Sequence, residues 1–121
     1  EVVGVLDALR PAFNIAAPSQ AAAIAALADQ DHLRAGVGQI AAERERIERA
    51  LDAAGLVHTP SLANFVFVRC DAPLEQAFDS LLAAGLIVRP IPVRGEAWLR
   101  ITVGHPADND RLLGRLVEAI R

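Results

Sequence analysis

Arg100 is the residue whose setting most directly suggests chemistry. It falls in Ala97-Trp-Leu-Arg-Ile-Thr-Val103, where Leu99, Ile101 and Val103 take one face of a strand and Trp98, Arg100 and Thr102 take the other. A guanidinium on a face otherwise suited to burial needs an anion, and its fork of N–H groups matches a carboxylate or phosphate in a bidentate way. A salt bridge to a neighbouring carboxylate on an exposed sheet face would also satisfy it. Arg89 ends the predicted strand Leu86-Ile-Val-Arg89, just before Pro90, where a strand end feeds an irregular loop and can present a side chain. Two arginines on adjacent strands could clamp one anionic ligand. Arg94, in the loop Val93-Arg94-Gly95-Glu96, is a third candidate, although a loop arginine is ordinarily just solvated.

What is missing narrows the chemistry further. All 12 basic residues are arginine and there is no lysine, so Schiff-base formation with an aldehyde cofactor is closed to this chain alone. There is no tyrosine to act as a phenolic acid or base. His32, His58 and His105 lack metal-ligand spacing, so no metal is expected. The single cysteine, Cys70, excludes an internal disulfide and a cysteine-based zinc site, and after a buried strand it reads as an inert core thiol. Gly36-Val-Gly38 lacks the continuation of a phosphate loop, and no serine, histidine and aspartate stand out as a triad. With 15 acidic residues the formal net charge is −3, which argues against a dedicated nucleic-acid binder. No apolar run reaches the roughly 18 residues of a membrane span, and the N-terminus lacks the basic-then-apolar pattern of a signal peptide. The expected setting is the cytoplasm.

The elements that must position these residues follow from periodicity. At 121 residues and 53% hydrophobic, the chain suggests one domain with a packed core. Residues 1–9 read as the end of a helix, which Pro11 interrupts. Pro18-Ser19 starts another, with Ser19 capping it or Pro18 in its first turn. The stretch from Ala21 to Ala28 is apolar all round and wants cover on more than one side, from a missing partner surface or from the domain's own core. A longer helix runs from Asp29 or Asp31 to about Ala54, with Val37, Ile40, Ile47, Leu51 and Ala54 on its apolar stripe. Its charge run, Glu43 to Arg49, is expected to be a solvated face with Glu45 and Arg49 paired, and Gly55 ends it.

Short strands follow at 56–58 and 64–69, the second central because both its faces are apolar. A helix begins at Asp71 and Pro73, with Leu74, Ala77, Phe78, Leu81 and Leu82 as its stripe, and Gly85 stops it. The strand 86–89 is expected to end at Pro90 and Pro92. After the strand carrying Arg100, Pro106 opens the last helix, with Asp108 and Asp110 near its positive end and Leu112, Leu113, Leu116, Val117 and Ile120 facing the core. The sum is an α+β fold: a small mixed or antiparallel sheet of about four strands packed with helices. The residues alone give a small domain with an arginine-lined anion site.

Several stretches together resemble one family. Arg10-Pro-Ala-Phe-Asn14, followed by Ser19-Gln20 and an alanine-rich helix, is similar to the segment after the cofactor-lysine region of histidinol-phosphate aminotransferases. Ser61-Leu-Ala-Asn64-Phe65-Val-Phe-Val resembles their Asn-Phe strand. Gly85-Leu-Ile-Val-Arg89-Pro resembles the strand that follows it, and Trp98-Leu-Arg100-Ile-Thr-Val-Gly104 with His-Pro resembles their C-terminal signature. The resemblance covers nearly the whole chain, in order. It implies the C-terminal small domain (19–121) of a dimeric, fold-type I pyridoxal-phosphate aminotransferase, preceded by a junction (1–18) to an N-terminal large domain. It further implies that Arg100 binds the anionic group of a small amino substrate, that Arg89 assists, and that Asn14 lies near the domain junction. Pyridoxal 5′-phosphate would belong to the intact parent; none is expected on this chain, which lacks the cofactor lysine. Threonine-phosphate decarboxylases and aromatic aminotransferases share much of the pattern. A stand-alone, non-enzymatic module for anion binding or assembly is a separate alternative.

Overall fold

The computed structural model describes residues 2–9 and 15–121. Asn14, and with it the motif from Arg10 to Asn14, lies outside the described residues. The chain divides into two compact units, Glu1–Ala35 and Gly36–Arg121. The first holds α1 (Val2–Leu9) and α2 (Ala17–Ala28), neither of which has a buried residue. Pro18 occupies the first turn of α2, while the N-cap is Ala16 with no side-chain bond, so Ser19 does not cap it. Asp29 caps the next helix, α3 (Gln30–Ala53), its carboxylate accepting from the His32 backbone N–H at 3.1 Å.

The second unit is built on a four-stranded sheet in the order β1-β2-β4-β3, every pair antiparallel. Its strands are β1 (His58–Thr59), β2 (Phe65–Cys70), β3 (Arg89–Val93) and β4 (Glu96–Thr102). One sheet face, with Val66, Val68 and Cys70 of β2 and Leu99 and Ile101 of β4, joins a single hydrophobic cluster. Ile47 and Leu51 of α3, Ala77 and Leu81 of α4 (Leu74–Ala83), and Leu112, Leu116 and Ile120 of α5 (Pro106–Ile120) complete it. Fully burying one such aliphatic side chain contributes about 1.5–3 kcal/mol. The expected stripes are therefore met at their centres. Their margins differ: Val37 and Leu82 remain exposed.

Two helices end in the same motif. After α3 the N–H of Gly55 reaches the Asp52 carbonyl and that of Leu56 reaches Leu51, both at 2.9 Å. After α4, Gly85 and Leu86 repeat this with Leu82 and Leu81. Gly55 and Gly85 have φ of +68° and +73°, the left-handed conformation this Schellman closure needs.

Two expectations need correction. The strand expected at 86–89 lies instead at Arg89–Val93, with Pro90 and Pro92 inside it rather than ending it. β3 is an edge strand, so alternate residues point their backbone N–H away from the sheet, and prolines placed there cost no ladder bond. The charge run of α3 is not simply a solvated face. Glu45 and Arg49 are exposed and unpaired with each other, but Glu43, Arg44, Arg46 and Glu48 are half-buried and engaged. Glu43 and Arg46 tie α3 to the start of α5. Asn109, a buried polar residue, donates to the Glu43 carboxylate at 2.7 Å, and Arg46 donates to Asp110 at 2.7 Å.

Candidate functional site

Register decides which side chains share the sheet face opposite the core. Across β3 and β4, Arg89 is paired with Arg100, Ile91 with Trp98 and Val93 with Glu96. Across β2 and β4, Phe67 is paired with Arg100 and Arg69 with Trp98. Directly paired residues lie on the same face. Arg89 and Arg100 are thus side by side on adjacent strands, as the sequence suggested. The hairpin that sets this register closes through the two-residue turn Arg94-Gly95, with φ of +51° and +86°.

The prolines fix the pairing further. Having no N–H, Pro90 and Pro92 occupy the non-hydrogen-bonded pairs with Leu99 and Ala97. The Arg89–Arg100 pair is then a hydrogen-bonded one, with Cα atoms about 5.5 Å apart, and Arg100 faces Phe67 on its other side across a closer pair, about 4.5 Å.

The electrostatics of the pair are unbalanced. Like charges directly opposite each other destabilise a sheet, yet none of the ion pairs among the described residues involves Arg89 or Arg100. The salt-bridge alternative for Arg100 therefore finds no carboxylate among the described residues. Nearby charges are already engaged: Arg69 pairs with Asp71 at 3.3 Å, and Glu96 accepts from the Trp98 indole at 3.1 Å. Arg100 is half-buried, and its Nε is shielded from solvent without a hydrogen-bond partner. Its guanidinium carbon lies 5.3 Å from the centre of the Phe65 ring. Arg89 is exposed, and Arg94 lies at the exposed tip of the hairpin.

Sequence reasoning missed the aromatic half of this site. Phe65 and Phe67 meet edge to face, with ring centres 5.6 Å apart. The alternation Phe65-Val-Phe67-Val was the available signal, since it places both rings on the face that carries Arg100. The histidines take structural places: His58 Nε2 lies 2.9 Å from Asp52, and His105 precedes α5. Burial pushes the Cys70 thiol above its ordinary pKa, which fits an inert core group. Among the described residues no group of three or more His, Cys, Asp or Glu could hold a metal ion. A cavity of about 180 Å³ at the head of α5 is lined in part by Gly85, Gly104, Asp108 and Arg111. Arg111 lies 3.8 Å from Asp108 there, so the positive charge is answered locally.

The chain's own chemistry limits what the site can do. Two guanidinium forks can bind and orient an anion, but a guanidinium carries only donors and no acceptor with which to take up a proton. Without a lysine the chain does not fit pyridoxal phosphate as an imine-forming resident cofactor.

The chain is 52% identical over 120 residues to histidinol-phosphate aminotransferase 2 of Caulobacter vibrioides, a match covering 99% of the chain and 32% of that protein. It is 42% identical over 115 residues to the histidinol-phosphate aminotransferase of Frankia casuarinae, covering 95% and 28%. Among solved structures, histidinol-phosphate aminotransferase from Sinorhizobium meliloti in complex with pyridoxal-5′-phosphate is 37% identical. It superposes with a TM-score of 0.77 over 97% of this chain and 33% of that one. The chain thus spans about a third of the length of the curated relatives it matches. The family model for aminotransferase class I and II matches residues 1–116, and the chain belongs to that family.

Proposed function

We propose that this chain is the C-terminal, substrate-binding part of a pyridoxal-phosphate-dependent aminotransferase that moves an amino group between histidinol phosphate and 2-oxoglutarate. The observation that carries the reading is the in-register pair Arg89–Arg100, two directly opposed cations that enter no ion pair among the described residues. The names of the relatives support the reaction. In this reading Arg100 binds the anionic end of the substrate, either the phosphate of histidinol phosphate or the α-carboxylate of the glutamate partner. Arg89, exposed and directly opposite, closes on the same anion, whose negative charge turns the repulsion of the pair into attraction. In this reading residues 1–18 are the junction and residues 19–121 the small domain, whose compact unit Gly36–Arg121 carries both arginines. The residues that hold the cofactor belong to the large domain of the parent, since this chain brings no lysine. The apolar, exposed surfaces of α1 and α2 support a covering partner supplied by that domain or by the second subunit of a cytoplasmic homodimer.

The test uses the intact parent enzyme with histidinol phosphate, phosphothreonine and phenylalanine offered separately. Preferred transamination of histidinol phosphate supports the reading; carbon dioxide release from phosphothreonine or a preference for phenylalanine overturns it. Arg100→Lys keeps the charge but loses the parallel fork. A charge-assisted hydrogen bond contributes about 1.5–3 kcal/mol, so kcat/KM is expected to fall by about tenfold or more. An unchanged kcat/KM removes Arg100 from the site.

A further inference from the structure

Arg89 and Arg100 are not equivalent, and the difference lies in what holds Arg100 before any anion arrives. Arg89 is exposed. Arg100 has its guanidinium carbon 5.3 Å from the centre of the Phe65 ring. Phe65 is paired across the sheet with Thr102, so it is the diagonal neighbour of Arg100, within reach for an aromatic and a long side chain. The Phe65 ring is in turn held by Phe67, which meets it at 68° and stands directly beside Arg100 in register. The Arg100 Nε is shielded from solvent and its N–H finds no acceptor, and no ion pair among the described residues involves Arg100.

We propose that Phe65 is a positioning residue for Arg100, its ring holding the guanidinium ready for the substrate anion and Phe67 fixing that ring. This rests on the reading of Arg89 and Arg100 as an anion site. The physical basis is the shape of the guanidinium. Its π face and its positive charge are attracted to an aromatic face, while its N–H donors lie in its own plane. A ring against one face therefore restrains the long side chain and leaves the donor edge free. Rotamer freedom lost to the ring beforehand is not lost again when the anion binds, which is how pre-organisation raises affinity. A second cation standing opposite makes this restraint more useful, because repulsion from Arg89 would otherwise splay Arg100 away.

The experiment follows the arginine Nε–Hε signals of this chain by NMR while inorganic phosphate is titrated. The Arg100 signal is identified by its disappearance in Arg100→Lys. In the unsubstituted protein it is expected upfield of the other arginines, shifted by the Phe65 ring current; an ordinary position overturns the proposal without any variant. Phe65→Met, of similar volume and no ring, is expected to return the signal to the ordinary position and weaken phosphate binding by about 2- to 30-fold. Phe65→Tyr is expected to keep both. A purely structural role would move the melting temperature of the variants without separating Met from Tyr in phosphate affinity. Equal affinity in Phe65→Met and the unsubstituted protein refutes the positioning role. If phosphate binding survives Arg100→Lys unchanged, the anion-site reading itself falls. If Arg100→Lys weakens binding and Phe65→Met does not, only the role of Phe65 falls. Should Phe65→Met fail to fold, the Arg100 shift in the unsubstituted protein and its retention in Phe65→Tyr decide.

Discussion

Asn109→Ala removes the polar clasp that joins the end of β4 to α3. The Asn109 side chain is 2% exposed and makes three hydrogen bonds. Its Oδ1 accepts from the Gly104 N–H at 2.9 Å, and its Nδ2 donates to the Gly104 carbonyl at 3.0 Å and to the Glu43 carboxylate at 2.7 Å. The two bonds to Gly104 contribute about 1–3 kcal/mol together. Truncation also leaves a buried void and strands both backbone groups, which brings the expected loss to about 2–4 kcal/mol. For a unit of this size the melting temperature should fall by about 10–25 °C. Urea unfolding read by tryptophan fluorescence, through Trp98, measures the loss directly. A loss below about 1 kcal/mol would refute the reasoning, since it would mean the clasp is not what anchors the turn.

The same clasp carries a pH signature. Arg46, and after it Asn109, holds the Glu43 carboxyl below its ordinary value of 4.5. A carboxylate whose pKa is lowered on folding stabilises the native state above its unfolded pKa, and that contribution is lost as pH falls through the folded value. Asn109→Asp keeps the acceptor for Gly104 but faces Glu43 with a second carboxylate. Its deficit relative to the unsubstituted protein should therefore be large at pH 7 and narrow toward pH 4. A deficit that stays constant with pH would show that the two side chains do not meet.

Three further predictions concern the backbone. Arg94, with φ of +51° in a turn that favours asparagine, should be stabilised by about 0.5–1 kcal/mol on Arg94→Asn; a lower urea midpoint in the variant contradicts this. Gly85→Ala should cost about 1 kcal/mol because of its φ of +73° and not because of a clash, the nearest side-chain atom to a new Cβ being 3.6 Å away on Arg111. Gly114→Ala, inside α5 with open space around it, should act in the opposite direction by a similar amount; matching signs for the two glycines would refute the account.

The helices and the central sheet were legible because each signal was local. The three- and four-residue spacing of Leu112, Leu116 and Ile120, the two-residue alternation of Leu99 and Ile101, and glycines at 55 and 85 each report on their own segment. The charge run of α3 misleads for the converse reason. Nothing near Glu43 in sequence announces Asn109, 66 positions away, as its hydrogen-bond partner. The arginine pair was legible as two candidates on adjacent strands, but its register was not, since that depends on where the hairpin turns. The Phe65–Arg100 contact depends on the same register at one remove.

Pro90 and Pro92 look like strand breakers, and for that reason the sequence alone predicts a strand that ends before them. In the fold they do the opposite, selecting one register and excluding its neighbours. A slip of one residue between β3 and β4 would send Arg89 to the core face and bring Ile91 out of line with Trp98. It would also turn the two proline nitrogens toward β4, where a ladder bond would be missing at each. The two-residue turn at Arg94-Gly95, with both φ angles positive, independently demands that Val93 close against Glu96. Two unrelated constraints therefore agree on the arrangement that holds Arg89 opposite Arg100. The agreement keeps a repulsive pair in place without a carboxylate of its own, which leaves the charge available to an incoming anion.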